Sequence, residues 1–166
     1  MGEMKVNLQT EEIQLIPYDE KYKKIIEAFT LPSEQIQFTA KPSDLLERAE
    51  EDATRNVVVI TANQIPVGIF ALQSGARVAE YTENPHALLL NSFSINYENQ
   101  GKGYAKKGLT LLREFAKSYF PNTNEIVLAV NERNIPAQKL YAKVGFEDRG
   151  QRRMGPIGRQ LVLYLS

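Results

Sequence analysis

The sequence predicts a single α/β domain over residues 1–166, in which a central mixed β-sheet is flanked by helices. Two observations indicate this fold class. The first half places two β-branched, apolar runs on either side of a short turn, which is typical of an antiparallel hairpin. The second half alternates strand-like with helix-like segments, which is typical of strands joined by crossover helices. A chain of 166 residues is long enough to bury one core, and no linker divides it.

The first half is predicted to contain a short strand, two helices and a hairpin. Apolar residues recur every three or four positions after Pro17 and again after Pro42, which indicates two amphipathic helices. A β-branched run then leads to Asn63-Gln64, and a second apolar run returns after this turn. The predicted elements are a strand at 12–17, helices at 18–29 and 43–53, strands at 56–62 and 65–73, and a loop at 74–85.

The second half is predicted to alternate strands with helices. A strand that is apolar enough to be central in a sheet leads to Gly101 and Gly103, and a long helix follows at once. After the next strand comes a helix that Asn134 can cap and Gly145 can end. The predicted elements are strands at 86–96 and 125–130, helices at 102–118 and 135–144, and final strands at 146–150 and 160–166.

The composition excludes several classes of function. The 20 Lys and Arg residues balance the 20 Asp and Glu residues, so no overall field attracts nucleic acid or an anionic membrane. The chain lacks cysteine and has one histidine, His86, which excludes disulfides, thiolate metal sites and a cysteine nucleophile. The first residues contain no long apolar stretch of the kind that signal peptides or membrane spans need. We therefore expect a cytoplasmic protein with no metal, nucleic-acid or membrane partner.

The charges are distributed unevenly along the chain. Residues 1–99 contain 15 acidic and 8 basic residues, whereas residues 100–166 contain 5 acidic and 12 basic residues. An acidic part suits a cationic ligand and a basic part suits an anionic one, although exposed helices also carry solvated charge. Four arginines are predicted to lie in a loop between the final strands, either solvated or in contact with a phosphate or an acidic substrate: Arg149, Arg152, Arg153 and Arg159.

The turn with two glycines is a candidate phosphate site. Glycine at positions 101 and 103 allows positive φ and close approach of a ligand to the backbone. The first amides of the following helix lack internal partners and carry partial positive charge, so they can bind a phosphate or diphosphate. Nearby lysines, among them Lys102, strengthen this site. On its own, however, such a glycine pair is more simply explained as an ordinary strand-to-helix turn.

Two other phosphate-binding motifs do not fit this turn. The dinucleotide pattern G-x-G-x-x-G requires a third glycine at position 106, which is Lys106. The P-loop pattern would run from Gly103 to Gly108, but Leu109 follows where a lysine is required. Both motifs are therefore excluded.

Two segments resemble the GCN5-related N-acetyltransferase (GNAT) superfamily. The acetyl-CoA loop of that family reads Q/R-x-x-G-x-G/A, which is similar to Gln100–Ala105 here, and Phe93-Ser94-Ile95 is similar to the strand end before it. The resemblance covers residues 88–150, whereas residues 1–55 carry no diagnostic motif. A second family element, N-x-x-A-x-x-x-Y-x-x-x-G-F, is matched by Asn134, Ala137, Tyr141, Gly145 and Phe146.

The resemblance implies transfer of an acetyl group from acetyl-CoA to a primary amine, by direct attack in a ternary complex. It implies that loop amides bind the diphosphate, that the strand backbone pairs with the pantetheine arm, and that the Ile95 amide donates to the thioester oxygen. Tyr141 matches the general acid of the family, although space-filling on its helix is the alternative for this residue. The implied donor-binding residues are Phe93, Ile95, Gln100, Gly101, Lys102, Gly103, Tyr104, Ala105 and Asn134.

The sequence leaves the identity of the general base open. Many family members use a strand carboxylate, but Asn91 and Ser92 occupy that part of the strand here. Glu80, Glu83 and His86 lie just upstream as candidates, and a water chain to Asn91 or Ser92 is equally consistent with the sequence.

The acceptor stays open as well. The acidic N-terminal part favours a small cationic amine, and a homodimer is compatible with this interpretation. The alternatives are a protein or peptide amine, a catalytically weak module that binds acyl-CoA, and a binder of another phosphate-bearing ligand. Four aromatic residues of the first helices fit either a substrate cleft or core packing: Tyr18, Tyr22, Phe29 and Phe38.

Overall fold

A computed structural model describes residues 11–166, which contain one seven-stranded sheet. The strand order is β1-β2-β3-β4-β5-β7-β6, and each neighbouring pair is antiparallel except β4 and β5, which are parallel. This mixed sheet with helices on its faces confirms the predicted fold class. The strands are β1 (Ile13–Pro17), β2 (Arg55–Ala62), β3 (Ile65–Gln73), β4 (Ala87–Ile95), β5 (Glu125–Asn131), β6 (Glu147–Gly155) and β7 (Gly158–Leu165).

Six α-helices lie within the described residues, together with three 3₁₀ turns at Glu20–Tyr22, Ala76–Glu80 and Tyr97–Asn99. None of these helices combines the length and the apolar character that crossing a membrane requires. The helices are α1 (Lys23–Glu27), α2 (Ser33–Ile36), α3 (Pro42–Glu51), α4 (Tyr104–Thr110), α5 (Leu112–Tyr119) and α6 (Ile135–Lys143).

The sheet is covered on both faces because neighbouring strand residues point to opposite sides. In β2, Val57 and Val59 pack against α1 and α3, whereas Val58 and Ile60 belong to the larger core that includes α4, α5 and α6. A third cluster, centred on Val78 of the 3₁₀ turn after β3, covers the other face of β4, β5 and β7. This two-sided burial explains why β2 reads as a continuous apolar run.

β4 and β5 separate soon after they begin to pair. Their parallel pairing is confined to Ala87–Leu89 on β4 and Glu125–Val127 on β5, although both strands continue beyond it. Ser92 has a φ of 57°, and the register of β4 against β3 shifts by one residue beside it. Such a bulge bends a strand and increases its twist. The result is a wedge between the two strands, with a backbone edge on each side that no neighbouring strand pairs.

The helix predicted over 102–118 is wrong as a single element. It begins at Tyr104, because Gly103 adopts the left-handed conformation, and it is interrupted at Leu111. The Leu111 amide donates to the Gly108 carbonyl at 3.0 Å, a tighter turn than an α-helix makes. A Cβ on Gly108 would lie 3.0 Å from Cδ1 of Ile60, so glycine permits α4 to approach β2 closely.

Two other parts of the described residues also differ from the prediction. The helix predicted over 18–29 is a 3₁₀ turn followed by α1, and α2 was not predicted because four residues show no periodicity. β6 extends to Gly155, so the four arginines assigned to a loop lie on β6 and β7. β6 is an edge strand with mostly exposed residues, and its polar sequence lacks the apolar pattern of a buried strand.

Candidate active site

The wedge between β4 and β5 opens into a cleft of about 1250 Å³. Its two ends lie on opposite faces of the sheet. The loop end is lined by residues of the segment Gln100–Lys106 and by α6. The arginine end is lined by Arg77, Tyr81, Arg153 and Gln160, on the face that the 3₁₀ turn after β3 covers. The cleft therefore connects both faces through the gap in the sheet.

The two predicted glycines shape the loop end. Gly101 has a φ of 78° and Gly103 a φ of 82°, which confirms the positive φ expected from the sequence. A Cβ on Gly101 would meet no atom within 4 Å, and one on Gly103 would meet only Cε of Lys107 at 4.0 Å. The protein itself does not crowd these positions. The open space in front of the backbone is therefore available to a ligand.

The first turn of α4 presents free amides to the same space. The first main-chain bond of the helix joins the Lys107 amide to the Gly103 carbonyl at 3.1 Å, so the amides of Tyr104, Ala105 and Lys106 precede the helical pattern. Tyr104, Ala105 and Lys106 also line the cleft, whereas Lys102 is exposed and lies outside its lining. These amides and Lys106 make the loop end electropositive.

Gln100 is engaged within the protein. Its Nε2 donates to the Ile95 carbonyl at 2.9 Å and to Oε1 of Gln35 at 2.9 Å, while Nε2 of Gln35 donates to its Oε1 at 3.1 Å. This side chain therefore fixes the glycine loop to the end of β4 and to α2. Sequence reasoning missed Gln35, because no local pattern connects two glutamines so far apart in the chain.

The edge of β4 that faces the wedge carries the two backbone positions predicted to bind the donor. The Asn96 amide donates to the Val67 carbonyl on β3 at 2.9 Å. Because the backbone groups of successive strand residues point to opposite sides, the N–H and C=O groups of Phe93 and Ile95 face away from β3. The carbonyl of Phe93 accepts a hydrogen bond from the Thr39 hydroxyl at 3.2 Å. The amides of Phe93 and Ile95 thus face the wedge.

Tyr141 lies on α6 against this edge. Its ring contacts those of Phe93 and Phe146 edge to face, with centroids 6.4 and 5.6 Å apart. Its hydroxyl makes no hydrogen bond to any residue of 11–166, and burial raises the pKa of the phenol above its ordinary value. The ring therefore fills space, as one interpretation of the sequence had it. It also lines the cleft, and its phenol keeps its proton.

Asn134 caps α6, as the sequence predicted. Its Oδ1 accepts from the Ala137 amide at 3.4 Å, and the residue lines the cleft beside the loop end. The side-chain amide nitrogen of Asn134 is not used in this cap. It is available to donate to a ligand in the cleft.

The structure separates the candidates for the general base. Glu80 lines the cleft, whereas Glu83 and His86 line a different pocket of about 850 Å³. Nδ2 of Asn91 donates to Oε1 of Gln73 at 3.1 Å, and Oδ1 of Asn91 is buried without a partner among the described residues. The side-chain amide of Asn91 is therefore held in place by Gln73, and no described residue donates to its Oδ1.

The aromatic residues of the first helices divide in the same way. Tyr18, Tyr22 and Phe29 pack with α1, α3 and the sheet, as core packing predicted. Phe38 instead lines the cleft, with the Arg133 guanidinium 5.7 Å from its ring centre.

The charges of the cleft differ from those expected of a site for a cation. Among residues 11–166, no group of three or more acidic or histidine side chains is arranged to hold a metal ion. The lining contains six basic residues, Lys41, Arg48, Arg77, Lys106, Arg133 and Arg153, and three acidic residues, Glu34, Asp44 and Glu80.

Comparison with known proteins identifies similar chains. The model of the acetyltransferase (GNAT) family matches residues 22–146. YbbJ of Bacillus subtilis, described as an uncharacterized N-acetyltransferase, is 44% identical over 156 residues, which cover 93% of this chain and 98% of YbbJ.

Two solved structures share the fold at low sequence identity. The aminoglycoside acetyltransferase AAC(6')-Ib, in complex with coenzyme A and kanamycin, has a TM-score of 0.75 at 18% identity over 93% of this chain and 95% of its own. The spermidine N-acetyltransferase of Vibrio cholerae, in complex with CoA and spermine, has a TM-score of 0.67 at 17% identity over 92% of this chain and 94% of its own.

Proposed function

Since this chain belongs to the acetyltransferase (GNAT) family and is thus an acyltransferase, we propose that it transfers an acetyl group from acetyl-CoA to the primary amine of a small molecule. The proposal treats residues 1–166 as a single domain. The observation that carries it is the pair of left-handed glycines, Gly101 and Gly103, whose backbone faces open space beside the unpaired edge of β4.

The loop end fits the diphosphate of the donor. The amides of Tyr104, Ala105 and Lys106 are free to donate to phosphate oxygens, and the two glycines leave room for close approach. Lys106 adds a positive charge there, and Lys102 adds another from outside the lining. Both solved relatives named above are complexes with coenzyme A, which supports the choice of donor.

The wedge fits the extended arm of the donor. The amides of Phe93 and Ile95 would donate to it as a neighbouring strand does, and Nδ2 of Asn134 would donate from the opposite side. The Ile95 amide is proposed to bind the thioester oxygen. A backbone N–H fixed at that point stabilises the negative charge that develops on the oxygen in the transition state.

The reaction then needs one bond formed and one broken. The amine nitrogen attacks the thioester carbon directly, the carbon–sulfur bond breaks, and the sulfur leaves with the electron pair. Tyr141 lines the cleft with its proton in place, so its hydroxyl can donate to the departing sulfur. The acceptor loses its proton through Glu80 or through water bound at Asn91, whose Oδ1 has no partner among residues 11–166. A covalent cysteine intermediate is excluded because the chain has no cysteine.

One observation favours a second function. Asn91 stands in the part of β4 where a carboxylate base is expected, and its amide is bound to Gln73. A domain that binds acyl-CoA without turnover would need no base. This alternative makes a different prediction in the same assay.

The test combines binding with turnover. Titration calorimetry with acetyl-CoA should show binding that ATP does not displace, and release of the free CoA thiol should rise well above hydrolysis with at least one amine of a broad panel. Binding without turnover on any small amine or peptide would favour the binding module. Absence of heat with acetyl-CoA, or equal competition by ATP, would remove the proposal.

Two further parts of the proposal concern the protein in solution. A cytoplasmic location is supported by the cysteine-free composition. A homodimer is compatible with the proposal, and light scattering tests it. The cleft itself is built from one chain.

A further inference from the structure

The arginine end of the cleft has no part in holding the donor in the proposed function. It lies on the opposite face of the sheet from α4 and α6. Gln160 of β7 pairs with Asn131 of β5 on one side and with Arg153 of β6 on the other. Arg153 therefore lies two strands away from the β5 border of the wedge, a distance that a long arginine side chain can span. An acceptor that enters from this face would meet these residues first.

Arg153 is held in a defined position by neutral groups. Its Nη1 donates to the Tyr81 hydroxyl at 3.2 Å and to Oε1 of Gln160 at 2.9 Å. Its guanidinium carbon also lies 4.3 Å from the centre of the Tyr81 ring. These contacts use Nη1 and leave Nε and Nη2, which form a planar fork suited to a carboxylate or phosphate.

The neighbouring arginines of β6 differ in this respect. Nη1 of Arg149 lies 2.9 Å from a carboxylate oxygen of Glu125, and Nη1 of Arg152 lies 2.8 Å from one of Asp148. Neither arginine lines the cleft. Within residues 11–166, Arg153 has no such carboxylate, so the arginine that faces the cleft is the one whose charge is left unneutralised there.

The lining of the cleft contains two further arginines on this face. Arg77 and Arg48 line the cleft, and both lower the pKa of the Arg55 guanidinium by repulsion, after the larger effect of its burial. Arg77 lies on the 3₁₀ turn that ends beside Tyr81, whose hydroxyl accepts from Arg153. Asp44 and Glu80 offset only part of this charge in the lining.

We propose that the acceptor amine also carries an anionic oxygen group, a carboxylate or a phosphate, which Arg153 binds while the amine faces β4. This inference rests on the proposed function and names its class of substrate. It departs from the small cationic amine that the acidic N-terminal part favoured. A second ammonium group at the arginine end would be repelled by Arg153 and Arg77, whereas an anionic group is attracted.

The first experiment compares acceptors that differ only at the group remote from the amine. Aminohexanoate, hexylamine and diaminohexane present a carboxylate, a methyl and an ammonium group, and aminoethyl phosphate is compared with ethanolamine. Wild-type protein should have the highest kcat/KM with an anionic acceptor. The two anionic compounds distinguish a carboxylate site from a phosphate site. A preference for diaminohexane over both would overturn the inference.

The variants separate binding from structure. Arg153→Gln should lower kcat/KM for the preferred anionic acceptor about 10- to 100-fold, as expected for loss of a charge-assisted contact, and should leave hexylamine unchanged. For the same anionic acceptor, the kcat/KM of Arg153→Lys should lie between those of wild type and Arg153→Gln, because lysine keeps the charge without the planar fork. Arg159→Gln, an equal charge change on β7 outside the cleft, should change nothing. Equal losses with all acceptors in Arg153→Gln and Arg153→Lys would show a structural role and overturn the inference.

A binding measurement keeps this test independent of turnover. The melting temperature of the protein saturated with CoA is measured with each acceptor. Anionic amines should raise the melting temperature of wild type and of Arg159→Gln, but not that of Arg153→Gln. If the anionic amines raise the melting temperature in this way while no amine is acetylated, the inference stands and turnover fails. If amines are acetylated and no anionic amine raises the melting temperature, the proposed function stands and the inference is overturned.

Discussion

The side-chain amides of Gln35 and Gln100 form a reciprocal pair, with two hydrogen bonds of 3.1 and 2.9 Å. Gln35 belongs to α2, which lines the cleft, and Gln100 begins the glycine loop. Because Gln100 also donates to the Ile95 carbonyl, one side chain joins α2, the loop and the end of β4. The position of the loop thus depends on a contact between distant parts of the chain.

Gln100→Ala is expected to weaken acetyl-CoA binding about 3- to 10-fold, because the three hydrogen bonds that hold the loop are lost. Gln35→Ala should have a smaller effect, since Gln100 keeps its bond to Ile95. Titration calorimetry measures both. Gln151→Ala, at an exposed position of β6, is the control. A larger loss in Gln35→Ala than in Gln100→Ala would contradict this explanation.

Tyr141→Phe is expected to lower kcat about 100-fold while the affinity for acetyl-CoA stays nearly the same, because the ring keeps its packing and only the proton donor is lost. Assays of CoA thiol release give kcat, and titration calorimetry gives the affinity for acetyl-CoA. Tyr119→Phe, on the exposed surface of α5, removes a hydroxyl elsewhere and should have no effect. Unchanged turnover in Tyr141→Phe would remove the acid role.

The raised pKa of Tyr141 also predicts how stability depends on pH. In the unfolded chain this phenol loses its proton near its ordinary pKa of about 10, whereas burial keeps it protonated in the folded protein. The stabilisation is therefore fully present below about pH 10 and is lost as the pH rises above it. Urea unfolding should show a steeper decline in the free energy of unfolding above pH 10 for wild type than for Tyr141→Phe. Parallel curves for the two proteins would be inconsistent with burial as the cause.

Gly103→Glu is expected to reduce acetyl-CoA affinity more than 100-fold, because it places a carboxylate where the diphosphate is proposed to bind. Gly150→Ala is the matched control for Gly103→Ala. Both positions have positive φ, 88° and 82°, and both have open space, but Gly150 lies outside the cleft. Each alanine variant should lose about 1–2 kcal/mol of stability through the left-handed backbone. Weaker acetyl-CoA binding in the Gly103 variants alone would support the site; equal binding in all three proteins would exclude it.

The elements with strong periodicity or turn chemistry were predictable from the sequence. The hairpin of β2 and β3 turns at Asn63 and Gln64, both of which have positive φ as a two-residue turn requires. The cap at Asn134 and the left-handed Gly103 were also predictable, because each depends on one residue and its neighbours. The local part of the site follows from local chemistry.

The rest depended on contacts between distant segments. The interruption at Leu111 arises in a helix whose Gly108 packs against Ile60, which the helical sequence does not reveal. The extension of β6 depends on pairing with β7, whose register shifts between Asp148 and Arg152. The charge of the cleft could not be read from the charge of the N-terminal part, because the fold selects which side chains face inward.

The separation of β4 from β5 divides the sheet into two blocks that share only three residue pairs at their common border. Strands β1 to β4 form one block, and β5 to β7 form the other. A ligand bound in the wedge would hydrogen-bond to the edges of β4 and β5 and so join the two blocks. Affinity and rigidity are then coupled, so substitutions in the short paired border that ends at Leu89 and Val127 are expected to change how tightly the ligand is held without contacting it.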